Sequence, residues 1–144
     1  MKILFVNGPS LNLLGWRDPK IYGTTTLPQV ESRCREIARK GGVDLIAYQS
    51  NHEGGLIDFL QQHRDAAGAI INPGALAHTS IALRDAVADC PFPVVEVHIS
   101  DIRARESFRH HSYLSDVAAK AVIGQGVAGY EQALRWLIEE KRKA

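Results

Sequence analysis

The residues of this sequence that could do chemistry fall in a few short stretches. Glu96 and His98 stand two apart in the apolar run PVVEVHI, Pro93 to Ile99, so on a strand they share one face with Val94. Both are costly to bury unless paired. A carboxylate beside an imidazole raises the ring's pKa and fixes its orientation, which makes a usable acid; a satisfied structural pair at a strand end is the alternative. Arg17 and Tyr22 lie close together in the stretch Met1 to Gly23. A phenol, with a pKa of about 10, is a poor base at neutral pH unless a cation stabilises the phenolate. A guanidinium within a few ångströms supplies that cation without being deprotonated itself. Asn72-Pro73-Gly74 leads on to His78, Thr79 and Ser80, which reads as an amide, a tight turn and a helix N-terminus whose free N–H groups favour an anion. Either His78 binds that ligand or Thr79 and Ser80 simply cap the helix.

Rival chemistries fit less well. His78, His98 and Glu96 would make a two-His, one-carboxylate metal site, but there is no HxH or HExxH spacing, and the adjacent His110 and His111 diverge. No GxxxxGK[ST] is present, and NGPSLNLLG is not a GxGxxG turn. The net charge of +1 excludes a strong field for nucleic acid or an anionic membrane. At 144 residues, 45% hydrophobic and 23% charged, residues 1–144 are expected to form one domain with a real core. Lys141, Arg142 and Lys143 suit the negative end of a helix macrodipole better than a binding tail. Cys34 and Cys90 form no CxxC pair, and Cys34 falls among apolar helix positions, so a buried reduced thiol is expected. No signal peptide or span of about 18 apolar residues is evident, and a cytoplasmic location is the expectation.

The elements that must position these residues alternate. A first strand, Ile3 to Val6, stops at Asn7-Gly8-Pro9-Ser10 and is followed by a long loop where a helix is due, with Gly15 and Gly23 as hinges. A loop of that length is more often a lid than a connection, and a base on it would be assembled only on closure. Thr26 and Gln29 form a capping-box pattern with Pro28 in the first turn, and Gly41-Gly42 end that helix. Val43 to Tyr48 follows as a strand, then a helix marked by Leu56, Ile57 and Leu60, and a strand at Ala69 to Ile71. A helix at Ile81 to Asp89 precedes the fourth strand, Pro93 to Ile99. After an irregular piece, Ile102 to Ser115, come a strand at Ala119 to Ile123 and a helix striped by Tyr130, Ala133, Leu134, Leu137 and Ile138. This order implies an α/β fold: a flavodoxin-like, doubly wound five-stranded parallel sheet with helices on both faces. Its ligand crevice lies beyond the carboxyl ends of the strands, where the polar residues converge.

The motifs NGPSLNLLG, WRDPKIYG, QSNHEG, INPGALAHTSIALRDA, VVEVHISDIRARESFRHHSYLS and GQGVAGYEQAL, nearly end to end and in order, resemble the type II 3-dehydroquinate dehydratases. The resemblance implies a hydro-lyase that converts 3-dehydroquinate to 3-dehydroshikimate by anti elimination, in aromatic biosynthesis or quinate breakdown. It implies no metal or organic cofactor and no lysine Schiff base, and a homo-oligomer, a dodecamer of four trimers. Carried over, Tyr22 is the base, Arg17 keeps it ionised, His98 is the acid that protonates the leaving hydroxyl, and Glu96 orients His98. Asn72, His78 and Arg109 hold substrate hydroxyls, the backbone at Ile99 and Ser100 receives the carboxylate, and Asp85 reaches a neighbouring subunit's site. Some positions depart from the family pattern. Ser10 replaces an Asn that positions an enolate-stabilising water. Ala77 replaces a common Thr, Asp101 and Arg103 stand where Asn and His are frequent, and Gly55 replaces a frequent Glu. The runner-up readings are a weakly catalytic binder of a cyclic polyol carboxylate and, further off, a flavodoxin-like flavin binder.

Overall fold

The computed structural model describes residues 1–144. Its centre is β1 (Lys2–Asn7), flanked by β2 (Asp44–Gln49) and β3 (Gly68–Asn72), with β4 (Val94–His98) and β5 (Lys120–Ile123) beyond β3. All four pairings are parallel, giving the order β2-β1-β3-β4-β5 of a flavodoxin-like sheet. A parallel sheet covered on both faces needs continuous apolar strands, and β1 supplies one. Ile3 and Phe5 face a core under α2 (Leu27–Lys40) and α5 (Ala128–Lys143), while Leu4 and Val6 face another under α3 (Glu53–Gln62) and α4 (Ile81–Ala88). Burying each such side chain contributes about 1.5–3 kcal/mol. The α2 cap is as expected, with Thr26 Oγ1 accepting from Gln29 N and Gln29 Oε1 from Thr26 N. Cys34 is buried and free. No helix is long and apolar enough to cross a membrane.

The expected loop after β1 is partly helical. It holds a 3₁₀ turn, Leu11–Leu13, and the one-turn helix α1, Pro19–Tyr22. Pro19 starts α1 at a position where its missing N–H costs nothing. Leu11 and Leu14 anchor the segment in the α2–α5 core. Gly15, at φ 96°, lies so close to Thr24–Thr26 that a Cβ would fall 2.8 Å from Thr26 Cγ2. Only glycine fits both the left-handed backbone and that approach.

The helix expected from Ile81 is present, and the cap reading holds for Ser80, but His78 does not lie at its N-terminus. Gly74–His78 is a 3₁₀ turn that ends at His78, and α4 begins only at Ile81. Ser80 is its cap, accepting from Leu83 N at 2.8 Å. Asp101 likewise caps a short 3₁₀ turn through Arg103 N at 3.1 Å, a role open to Asn as well as Asp. A Cβ at Gly55 would fall 2.8 Å from the Tyr48 hydroxyl, so the Tyr48 ring, stacked 4.6 Å from Phe59, holds the space a longer residue would need.

Candidate active site

The carboxyl ends of β1, β3 and β4 border one cavity of about 140 Å³. Pro9 and Ser10 reach it from the turn after β1, Asn72 and Gly74 from the end of β3, and His98 to Ser100 from the end of β4. Arg17 and Tyr22 border it from the segment after β1, and Arg105 and Arg109 from the irregular segment after β4. The residues that the resemblance gives catalytic or substrate-binding roles all line it except Glu96, which lies behind His98, and Asp85, which is exposed on α4. Three guanidiniums and no carboxylate border the cavity, which favours an anionic ligand although the chain as a whole is nearly neutral.

The strand half of the site is rigid. The pleat points Val94, Glu96 and His98 to the α3–α4 face, with Glu96 fully buried and His98 5% exposed. Glu96 Oε2 lies 2.6 Å from His98 Nε2, which leaves Nδ1 of that ring for a ligand. The same carboxylate accepts from the hydroxyls of Ser112 and Ser115. Burial alone would raise the Glu96 pKa; hydrogen bonds from His98, Ser112 and Ser115 outweigh it and hold the carboxyl below its ordinary range. His78 behaves differently. Burial pushes it below an ordinary imidazole, and its Nδ1 donates to His111 O at 2.8 Å, so its Nε2 is left as an acceptor for a ligand hydroxyl. Asn72 is held by Tyr130 of α5: Asn72 Nδ2 donates to the buried phenol at 2.8 Å, and that hydroxyl donates to Asn7 Oδ1 at 2.6 Å.

In the segment after β1, the guanidinium of Arg17 lies over the Tyr22 ring, 5.0 Å from its centroid. The hydrogen bond to the phenol oxygen comes from Arg105, whose Nη1 is 2.8 Å away. Arg105 was not singled out in the sequence. It lies in a segment without periodicity, and the only available signal was a further Arg shortly after β4. His110 Nε2 fixes it by donating to Arg105 O at 2.8 Å. Ser10 sits at φ 69°, a left-handed conformation costly for serine and easier for asparagine. The side chain of Asn51, accepting from Ser10 N at 2.9 Å, and Gln49, donating to Gly8 O at 3.1 Å, clamp that turn from the end of β2.

A flavodoxin-like sheet thus carries, around one cationic crevice, a phenol under guanidiniums and a carboxylate–imidazole pair, groups of the kind used in acid–base chemistry. The family model described as dehydroquinase class II matches residues 1–138, and the chain belongs to that family. It is 52% identical to a catabolic 3-dehydroquinase 2 from Neosartorya fischeri, over 96% of this chain and 93% of that one. The type II dehydroquinase from Propionibacterium acnes superposes with a TM-score of 0.92 at 42% identity, covering 96% of each chain. That from Butyrivibrio crossotus gives 0.93 at 41% identity, covering 95% of this chain and 97% of that one.

Proposed function

We propose that the chain, with residues 1–144 acting as one catalytic unit, dehydrates 3-dehydroquinate to 3-dehydroshikimate by anti elimination through an enolate. The observation that carries this reading is the single cavity bordered by both Tyr22, under Arg105, and His98, backed by Glu96. A guanidinium donating to the phenol oxygen stabilises negative charge there, and Arg17 over the ring adds to it. Tyr22 as phenolate takes the proton α to the carbonyl, and the C–H electron pair moves into the enolate. As the enolate collapses, the C–O bond at C1 breaks and His98 delivers a proton to the departing hydroxyl, which leaves as water. Asn72, His78 and Arg109 hold substrate hydroxyls, and the backbone at Ile99 and Ser100 receives the carboxylate. Ser10 takes the place of the asparagine that positions water at the enolate.

The exposed position of Asp85 suits a residue that serves a neighbouring subunit, and we read the working form as a trimer-based homo-oligomer, a dodecamer in full. The catabolic name of the relative from Neosartorya fischeri supports a role in quinate breakdown. The near-neutral charge and apolar core are in keeping with a cytoplasmic protein.

The test is to add 3-dehydroquinate and follow the ultraviolet absorbance of the conjugated enone. Since no lysine borders the cavity, turnover should survive borohydride. No absorbance change in folded, oligomeric protein would refute the reaction.

A further inference from the structure

Glu96 is fully buried, and its neighbours across the β ladder, Ile71 and Ala121, are apolar. A carboxylate in such a place is strongly disfavoured unless donors fill both oxygens. Apart from His98, those donors come from outside the sheet, from the strap that crosses the α3–α4 face over β4. Ser112 Oγ donates to Oε2, the oxygen that also meets His98, and Ser115 Oγ donates to Oε1 at 2.6 Å. The strap is itself pinned. Tyr113 N donates to Ala77 O at 2.8 Å, Arg84 Nη1 donates to Tyr113 O at 2.7 Å, and Leu114 is fully buried in the core beneath. Neither serine borders the ligand cavity, so both act through the carboxylate.

We infer that Ser112 and Ser115 are positioning residues for the acid: their hydroxyls lock the Glu96 carboxylate in the orientation that presents Oε2 to His98. The inference rests on His98 being the acid of the proposed reaction. The titratable and charged groups facing the carboxylate are His98 on β4 and, further off, His78 with Arg109 beside it. Losing a hydroxyl therefore removes one of the few stabilising partners the anion has.

The test uses Ser112→Ala, Ser115→Ala and the double variant, with Ser112→Thr keeping a hydroxyl. One readout is the titration of the Glu96 carboxyl, followed by carbon-13 NMR in the protein without substrate. The other is kcat and KM for 3-dehydroquinate across pH. The Glu96 midpoint should rise in each Ala variant, most in the double one, and return towards wild type in Ser112→Thr. In the double variant kcat should fall about tenfold or more with KM little changed, and the acidic limb of the kcat profile should move to higher pH. An unchanged Glu96 midpoint in the double variant overturns the inference. A shifted midpoint in a protein that does not dehydrate 3-dehydroquinate upholds the positioning role and sinks the reaction instead. Where Ser112→Ala fails to fold, Ser115→Ala, at an exposed residue, carries the same titration.

Discussion

The two halves of the site are built on opposite terms. His98 and Glu96 belong to an interior strand, hydrogen-bonded on both sides, with every atom of the carboxylate taken up by named donors. Tyr22 belongs to a single helical turn with no buried residue, reached through Asp18 at φ 39°. Ser10, in the turn that also borders the cavity, is strained in the same way. Elements with little burial and strained backbone open at low cost. In the proposed reaction this divides the labour: the sheet would hold the acid ready, while a segment with little burial would bring in the base.

Among the residues that support the acid and the base, the largest effect should come from the strand half. Glu96→Gln keeps the shape but removes the charge that partners a protonated His98, and kcat should fall by about 10²-fold or more, measured by enone absorbance. A loss under tenfold would show that the strand half needs orientation only. Next is Arg105→Ala on the other half. A hydrogen bond to a charged group contributes about 1.5–3 kcal/mol, so turnover should drop by about 10- to 100-fold with thermal stability unchanged. Near-wild-type turnover would leave Arg17 as the sole cation serving the phenol.

A smaller effect is expected at Ser10. Left-handed backbone costs a non-glycine residue about 1–2 kcal/mol, and asparagine tolerates it better. Ser10→Asn should therefore raise stability by up to about 1 kcal/mol in urea melts while turnover holds or rises. A marked loss of turnover would mean that the surrounding cavity has adapted to serine. The smallest effect concerns pH. Glu96 is held below its ordinary range in the fold, so its contribution to stability is present above the unfolded carboxylate pKa of about 4.3 and is lost as pH falls through the lower folded value. Denaturant melts from neutral pH into the acid range should show wild type losing stability in that window more steeply than Glu96→Gln. Parallel curves would remove the carboxylate from the acid transition.

What the sequence disclosed depended on periodicity. The continuous apolar β1, the Thr26–Gln29 box and the two-residue spacing of Glu96 and His98 carry regular signals, and the structure keeps each of these elements. The helical turn Pro19–Tyr22 inside the expected loop was not legible, because one turn leaves too few residues for a pattern to stand out. The helix from Ile81 was legible, but His78 was assigned to its N-terminus because a 3₁₀ turn ending just before the Ser80 cap carries no pattern of its own. Ser112 and Ser115 lie in a strap pinned at Tyr113 and Leu114 by Ala77, Arg84 and the core, Arg105 is tied to Tyr22 far away in sequence, and no local spacing announces such contacts.

The separation of base from acid is tested most directly by proton exchange. 3-Dehydroquinate is incubated in heavy water with Tyr22→Phe and with His98→Ala, and deuterium uptake α to the carbonyl is followed by NMR. His98→Ala cannot expel the hydroxyl readily but keeps the phenol, so exchange should continue while dehydration falls by about 10² to 10⁴-fold. Tyr22→Phe should bind the ligand yet show neither exchange nor dehydration. Exchange in Tyr22→Phe at the wild-type rate would contradict the assignment of the lid as the base.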